Sequence, residues 1–159
     1  MGAGVLPIAI HKKKIYLLFS REEINSNDDA GLWSDFGGSK DRKETYKQTA
    51  IRECHEEANG ILGTKKKIRT LVTNALDTIT INGYRTYIVV IKYDNSLPKT
   101  FRNKFLHIKK TQPELISKNG LYEKDMLKWI SIDDLKKNIH IFRPWYKNII
   151  NYIINLNTR

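Results

Sequence analysis

The sequence predicts an α/β sandwich, a sheet covered by helices. Two observations predict it: short β-type runs occur both before and after a helical segment at residues 45–59, and an amphipathic segment at residues 144–156 lies near the end of the chain. Strands on both sides of a helix, with a second helix to follow, favour one sheet packed against helices. At 159 residues the chain has a common size for one domain, which we expect to span residues 1–159.

The first half of the chain supplies three predicted strands and the main helix. Residues 5–10 and 15–19 are short apolar runs separated by a lysine-rich turn, which is typical of two strands. Residues 25–31 form a polar loop, and residues 32–36 form a short strand that leads to a pair of glycines. Residues 45–59 then have apolar positions at helical spacing opposite an acidic face.

The second half is predicted to complete the sheet and to end in a helix. Residues 68–81 and 84–93 are rich in β-forming residues, and the Asn-Gly pair between them is a strong hairpin signal. Residues 99–119 have no clear period, so we expect a loop with a helical piece. The remaining predicted elements are a strand at residues 127–130, a short helix at 132–137 and the terminal helix at 144–156.

The most informative pattern is a set of charged residues around the main helix. Gly38 is followed after five residues by Glu44, and after seven more by the run Arg52-Glu53-Cys54-His55-Glu56-Glu57. On a helix, the three carboxylates of Glu53, Glu56 and Glu57 project within an arc of roughly 100°. Like charges this close raise one another's pKa unless a cation lies between them. Mg²⁺ is usually held by one or two carboxylates with water and substrate phosphates, so the pattern predicts a metal site that a substrate completes.

These residues resemble the Nudix box, whose usual form is Gly, five residues, Glu, seven residues, then Arg-Glu-aliphatic-any-Glu-Glu-any-Gly-aliphatic. Every charged position of the box is present, and residues 31–38 are similar to the strand that precedes it in the family. Three positions differ: Cys54 replaces an aliphatic residue, Asn59 replaces the late glycine, and Phe36 stands where many members have proline. A buried cysteine behaves as a small apolar residue, and Asn tolerates the left-handed conformation at a helix end.

The resemblance covers nearly the whole chain and implies a Nudix-like α-β-α sandwich with a mixed central sheet. It implies hydrolysis of a nucleoside diphosphate linked to another group, with Mg²⁺ as the cofactor and Mn²⁺ as an alternative. The implied metal ligands are the three helix carboxylates and a backbone carbonyl of the glycine pair: Glu53, Glu56, Glu57, and Gly37 or Gly38.

Other residues are assigned supporting roles by the same resemblance. Arg52 and Glu44 are expected to orient the carboxylates without touching substrate. Glu53 is one candidate general base. A late loop often supplies another, and Glu123 stands where many members have an acid, with Asp125 as the second choice. The alternative for Glu123 is an ordinary exposed loop acid.

Aromatic and basic residues are candidates for contacts with a nucleotide. Trp33, Phe36 and Tyr84 are candidates for stacking on a base, although aromatic residues in strands more often belong to the core. Arg102 and Lys104 are interleaved with phenylalanines in a way that suits nucleotide binding. A local helix packed on the sheet would produce the same pattern.

The substrate class is less closely defined than the reaction. Family members specific for ADP-ribose often carry a proline past the box, and those specific for diadenosine polyphosphates a tyrosine; residues 74–78 contain neither. Nucleoside triphosphates, including oxidised ones, are therefore the leading class, with capped RNA, diphosphoinositol phosphates and dinucleoside polyphosphates as alternatives. A binding module without turnover is disfavoured because no glutamate of the box is missing.

Charge and composition bear on partners and location. The net charge of +11 suits binding of polyphosphate or RNA, although codon bias in an AT-rich genome would also enrich lysine. The single cysteine excludes an internal disulfide framework, and no apolar run approaches the length of a membrane span. We therefore expect a cytoplasmic protein with a nucleotide or polyphosphate substrate and no membrane partner. Family members often dimerise, so a homodimer is a further expectation.

Overall fold

The computed structural model describes residues 1–158. Within that range the seven strands are β1 Gly2–His11, β2 Lys14–Glu22, β3 Trp33–Ser34, β4 Phe36–Ser39, β5 Asp77–Ile81, β6 Tyr84–Val90 and β7 Lys124–Ser131. The four α-helices are α1 Tyr46–Glu57, α2 Lys65–Thr73, α3 Leu97–Thr111 and α4 Lys147–Asn157. Short 3₁₀ turns occur at Pro113–Leu115, Ile132–Asp134, Lys136–Ile141 and Pro144–Tyr146.

The strands form one mixed sheet with β1 at its centre. The first half of β1 pairs antiparallel with β4, its second half pairs antiparallel with β2, and β6 runs parallel to it along most of its length. Strand β2 also pairs with β3 and β7, and β5 pairs with β6. The predicted α/β class with a mixed central sheet is therefore confirmed.

Both faces of the sheet are covered, which gives the molecule two apolar cores. Val5 packs in the core beneath α1 and α2, whereas the next residue, Leu6, packs in the core beneath α4. Successive side chains of a strand point to opposite faces, so a continuous apolar run such as that of β1 is buried on both sides.

Helix α1 carries the charged motif, and its start is defined by side chains. Thr45 accepts a hydrogen bond from the backbone N–H of Gln48, and the Gln48 side chain accepts one from the backbone N–H of Thr45. This capping box satisfies two donors that the helix itself leaves free. Ala50, Ile51 and Cys54 are buried against the sheet, which turns the opposite face of α1 towards solvent.

Three predicted elements differ from the structure. The β-rich segment at residues 68–81 is divided between α2 and β5, because Ile68 and Val72 are buried at helical spacing and Thr64 caps the helix. The segment at residues 99–119, predicted as a loop with a helical piece, is mostly helical, because α3 buries Phe101 and Phe105 one turn apart. The short helix at residues 132–137 is a pair of 3₁₀ turns.

None of the helices in residues 1–158 combines the length and the apolar character that a membrane crossing requires.

Candidate active site

A cleft of about 610 Å³ opens between β4, the acidic face of α1 and the loop that precedes β7. Its walls are strongly polar, and they include five carboxylates and two guanidinium groups: Glu22, Asp28, Glu53, Glu56, Glu123, Arg52 and Arg143. The cleft is therefore acidic, although the protein as a whole carries a net charge of +11.

Arg52 connects the carboxylates on one wall of the cleft. Its Nε lies 2.6 Å from Oε1 of Glu44, and its Nη1 lies 2.8 Å from Oε1 of Glu53 and 3.5 Å from Oε2 of Glu56. Its Nη2 also donates to the backbone carbonyl of Ser39. The hydrogen bonds from Arg52 lower the pKa of Glu44 to about 2. Arg52 thus ties α1 to the segment that follows the glycine pair.

Glu53 lies directly against the backbone of Gly38. A Cβ at position 38 would come within 2.7 Å of both carboxylate oxygens of Glu53, so only glycine leaves room for this contact. Burial raises the pKa of Glu53, and the nearby charges of Glu56 and Glu123 act in the same direction, against the opposing effect of Arg52. The three carboxylates are therefore close enough to repel one another across the cleft.

Glu57 is buried more deeply than Glu53 and does not line the cleft. Its side chain is 1% exposed because it lies on the side of α1 that faces the sheet. Its Oε2 is 3.4 Å from Nζ of Lys124, while its buried Oε1 has no hydrogen-bond partner among residues 1–158. Burial raises the pKa of Glu57 well above its usual value, and the Lys124 ammonium opposes this shift.

Lys124 and Arg143 are site residues that the sequence did not reveal. Lys124 is fully buried, and its Nζ lies 2.6 Å from Oε1 of Glu22 and 3.1 Å from Oγ of Ser34. The guanidinium of Arg143 contacts the same Glu22 oxygen at 2.8 Å. No sequence signal identifies this cluster, because its members lie on β2, β3, β7 and the segment before α4.

Arg143 also anchors the polar loop at residues 25–31. Its Nη2 and Nε each lie 2.9 Å from a carboxylate oxygen of the loop, on Asp28 and Asp29 respectively. The loop therefore forms the wall of the cleft opposite α1. Pairing of Arg143 with three acids leaves it little capacity to neutralise a bound polyanion.

Glu123 lines the cleft from the loop before β7. Its side chain is half-buried, and burial is the main cause that raises its pKa, with Glu22 and Glu56 adding to the shift. Its backbone carbonyl accepts a hydrogen bond of 2.9 Å from the N–H of Glu23, which fixes the loop on the end of β2. Gly120 in the same loop packs against Glu56 so closely that a Cβ would lie 2.7 Å from Oε2.

None of the three aromatic residues proposed to stack on a base lines this cleft. Phe36 is fully buried in the core under α1, and Trp33 is 6% exposed and packs in the opposite core. Neither presents a ring face to a ligand. The alternative stated above, that aromatic residues in strands belong to the core, applies to both.

The other residues proposed from the sequence have structural partners. Arg102 donates to the backbone carbonyl of Asp125 at 2.9 Å, and Lys104 donates to that of Asn59 at 2.5 Å, so both join α3 to neighbouring segments outside the cleft. Asp125 is buried and paired with Arg21 at 2.7 Å. This pairing removes Asp125 as a free general base.

The oxygen donors of the cleft suit a divalent cation only together with further ligands. Within residues 1–158, no three carboxylate, imidazole or thiolate groups form a metal cluster on their own. The cleft nevertheless contains five carboxylates and only two guanidinium groups. In addition, Oε1 of the buried Glu57 has no hydrogen-bond partner among the described residues. Magnesium sites commonly use one or two protein carboxylates and take the remaining ligands from water and substrate. The residues therefore fit a cation that a bound phosphate helps to hold.

Comparison with known proteins identifies the family. The chain matches the NUDIX domain family model over residues 1–152. No curated protein sequence matches it. Among solved structures, it is similar to RenU, a Nudix hydrolase from M. smegmatis, with 18% identity, a TM-score of 0.55 and coverage of 99% of this chain and 85% of that chain.

Two further structures share the fold. The binary complex of a C. elegans Ap4A hydrolase has 16% identity, a TM-score of 0.57 and coverage of 99% and 96% of the two chains. A bifunctional NMN adenylyltransferase/ADP ribose pyrophosphatase from Francisella tularensis, complexed with AMP and a Mn ion, has 16% identity and a TM-score of 0.54. The match covers 96% of this chain but 41% of that longer one.

Identities this low show the fold alone, whereas the family model spans almost all of the chain. The matched range, residues 1–152, includes the acidic helix α1 and the glycine pair of the cleft. The chain therefore belongs to the NUDIX domain family, and it is an enzyme of the Nudix hydrolase class.

Proposed function

We propose that the protein is a magnesium-dependent pyrophosphohydrolase of nucleoside triphosphates, oxidised ones included, which it converts to the monophosphate and pyrophosphate. The observation that carries this proposal is the cleft in which Glu53, Glu56 and Glu123 face one space beside the Gly37-Gly38 backbone. Such a concentration of carboxylates repels a polyphosphate unless cations accompany it. It therefore supports a substrate that enters as a metal complex.

The residues that would hold the metal are Glu53 and Glu56, with a backbone carbonyl of Gly37 or Gly38 and the unpaired oxygen of Glu57. When bound, a divalent ion would lower the pKa of the attacking water and neutralise charge on the phosphate oxygens. Mn²⁺ satisfies the same oxygen ligands and is the alternative ion.

The protein supplies two functions in this proposal: positioning of the carboxylates and acceptance of a proton. Arg52 keeps the carboxylates of Glu44 and Glu53 in place through three short hydrogen bonds, so that they need not reorganise when substrate binds. Either Glu53 or Glu123 accepts the proton of the attacking water. The raised pKa of both carboxyls supports this role, since a base is most effective when its pKa approaches the working pH.

The choice among substrates rests on what the chain lacks and on its charge. Residues 74–78 run from the end of α2 into the start of β5 and contain neither proline nor tyrosine, which favours nucleoside triphosphates over ADP-ribose and diadenosine polyphosphates. The +11 net charge keeps capped RNA and diphosphoinositol phosphates as alternatives.

The test is release of pyrophosphate or phosphate from a substrate panel with Mg²⁺ or Mn²⁺ present. The panel contains canonical and oxidised nucleoside triphosphates, Ap4A, ADP-ribose, capped RNA and a diphosphoinositol phosphate. We expect the parent to act fastest on a nucleoside triphosphate, and Glu56→Gln to lose about a hundredfold or more in kcat, because several kcal/mol of charge stabilisation depend on the metal. Equal rates for parent and Glu56→Gln would exclude the proposed mechanism.

The general base is identified in the same assay by Glu53→Gln and Glu123→Gln. Loss of the base lowers kcat by about 10²–10⁴-fold. Glu114→Gln is the matched control, since Glu114 is an exposed acid on the same connection between α3 and β7. A binding module without turnover would show nucleotide binding with no product from any member of the panel.

A further inference from the structure

A second cleft of about 340 Å³ lies beside the active site. Four residues line both clefts: Asp28, Gly38, Ser39 and Arg143. The two spaces therefore meet at Gly38 and at the anchored polar loop. A molecule whose phosphates lie against Glu53 and Glu56 can extend into the second cleft without leaving the protein surface.

The walls of this second cleft differ from those of the active site. Two aromatic rings form one side, since Trp145 and Tyr84 lie with their ring centroids 4.6 Å apart at an angle of 56°. Tyr84 is nearly buried, and its hydroxyl donates to Asp35 at 2.7 Å, so this ring is fixed. Trp145 is 39% exposed, with the guanidinium of Arg143 5.1 Å from its ring centroid.

The far rim of the cleft supplies polar groups at the edge of the aromatic surface. Asn82 and Gly83 form the tight turn between β5 and β6, both with positive φ, and the Asn82 side chain is exposed. Ser39 is an exposed polar residue that lines both clefts. A flat ring that stacks on one face and accepts or donates hydrogen bonds along its edge matches these walls.

The geometry points to Trp145 as the stacking platform for the nucleobase of the substrate, with Asn82 and Ser39 at the polar edge of the base. The inference rests on the proposed function, because it places the phosphates of the same nucleotide in the acidic cleft. It assigns base binding to the segment before α4, in place of the buried Trp33 and Phe36. It also gives Arg143 two roles, since one guanidinium supports the Trp145 ring and holds the polar loop.

The inference is tested by calorimetric binding in a Glu56→Gln background, which slows turnover. The probes are ATP, GTP and inorganic triphosphate, each with Mg²⁺. We expect both nucleotides to bind more tightly than triphosphate, and Trp145→Ala to weaken nucleotide binding about tenfold, because stacking of a base on an aromatic ring contributes on that scale. Binding of triphosphate, which has no base, should not change.

Two further variants separate stacking from loss of structure. Trp145→Phe keeps an aromatic face and should retain most of the nucleotide affinity. Tyr152→Ala is the matched control, since Tyr152 is a half-exposed aromatic residue on α4 that does not line the cleft, and it should leave all three affinities unchanged. Equal weakening of nucleotide and triphosphate by Trp145→Ala, or no weakening of either, would overturn the inference.

The same data distinguish this inference from the proposed function. If the parent hydrolyses nucleotides but Trp145→Ala changes the affinities for nucleotide and for triphosphate equally, the base binds elsewhere. The inference then fails while the proposed function stands. If Trp145→Ala weakens binding of the nucleotides but not of triphosphate, and the parent releases no product in the substrate panel, base binding at Trp145 holds and the proposed reaction fails.

Discussion

Lys124 is a charged group without access to solvent, and it is held there by acids. Its ammonium contacts Glu22 and Glu57, and Glu22 is also paired with Arg143. Moving an ion into the protein interior is costly unless partners of opposite charge accompany it. Lys124 therefore balances Glu57 directly behind the active-site carboxylates, where a second layer of negative charge would otherwise accumulate.

Replacement of Lys124 by Met should destabilise the protein strongly. The change keeps a long apolar stem but leaves Glu57 buried without its cation, which costs about 3–5 kcal/mol in the free energy of unfolding. Urea unfolding near neutral pH measures the loss. The double variant Lys124→Met/Glu57→Gln should recover part of it, because no unpaired charge then remains at position 57.

Lys128→Met is the control for this experiment. Lys128 lies on the same strand, β7, but is exposed, so its loss should change stability little. An unfolding free energy of Lys124→Met similar to that of Lys128→Met would show that the buried ion pair contributes nothing to stability.

Asp35 gives the protein a pH-dependent stability. It is completely buried, and burial raises its pKa from 3.8 to about 6 despite hydrogen bonds donated by Tyr84 and Thr86. Between these values the folded state keeps a proton that the unfolded state has released, so stability falls as pH rises from about 4 to about 6 and then levels off. A shift of this size corresponds to about 3 kcal/mol.

The variant Asp35→Asn should flatten this part of the pH profile, since an amide does not titrate. The measurement is the free energy of unfolding across the interval from pH 4 to pH 7. Asp77→Asn is the matched control, because Asp77 is exposed at the start of β5 and should leave the slope unchanged. An Asp35→Asn profile as steep as that of the parent would assign the dependence to other carboxyls.

The site residues that the sequence predicts make local contacts, whereas those that it does not predict make contacts between distant segments. Glu44, Arg52, Glu53 and Glu56 lie within one short segment, so helix geometry brought them together before the fold was known. The contact of Lys124 with Glu22 depends on the pairing of β7 with β2, which no local pattern encodes. The burial of Glu57 beside Lys124 is likewise not predictable locally, because the arc of a helix does not show where its buried edge begins.

Helix α1 presents the active-site carboxylates, and its first turn determines how firmly it does so. Thr45→Ala removes the side-chain half of the capping box and should cost about 1 kcal/mol in the free energy of unfolding. Thermal or urea unfolding gives the value. Thr64→Ala is a matched control, because Thr64 caps α2, which carries no residue of the cleft.

Thr45→Ala and Thr64→Ala should therefore be similar in the free energy of unfolding and differ in activity. Thr45 is adjacent to Glu44, the anchor of Arg52, so fraying at this end loosens the link between α1 and the glycine pair. We expect kcat to fall in Thr45→Ala and to remain at the parent value in Thr64→Ala. Loss of stability without any difference in kcat would separate the cap from catalysis.

At the level of elements, the sequence predicted those whose local pattern and tertiary environment agree. The Asn-Gly turn between β5 and β6 and the acidic helix α1 are examples. The β-branched residues of α2 have low helix propensity and favour β structure, but burial of Ile68 and Val72 at helical spacing and the Thr64 cap outweigh that preference. Helix α3 is longer than the helical piece that the sequence predicts, because two phenylalanines on one face are a weak periodic signal among many lysines.

Considered as a whole, the molecule combines a basic surface with an acidic cleft. The lysines of residues 12–14 and 65–67 are all exposed, whereas the cleft is lined mainly by carboxylates. A positive net charge attracts a polyanionic substrate over distances comparable to the Debye length, which falls from about 30 Å at 0.01 M salt to about 10 Å at 0.1 M.

The KM for a nucleoside triphosphate should consequently rise with ionic strength while kcat changes little. Steady-state kinetics over that salt range, at constant free Mg²⁺, provide the measurement. The double variant Lys65→Gln/Lys66→Gln should raise KM at low salt and show a weaker salt dependence. A KM that is independent of ionic strength would mean that the lysines do not steer substrate, and the same titration with single-stranded RNA tests the predicted RNA binding.

The central position of β1 has a consequence for biosynthesis. Gly2 pairs with Tyr84 and Ile8 with Val90, so the middle of the sheet cannot close until the chain has been translated well past β6. Until then, the apolar first strand emerges from the ribosome with one edge open, in a topology whose non-local pairing slows folding. Nascent chains arrested before residue 84 should therefore depend on chaperones, whereas chains released after β7 should not.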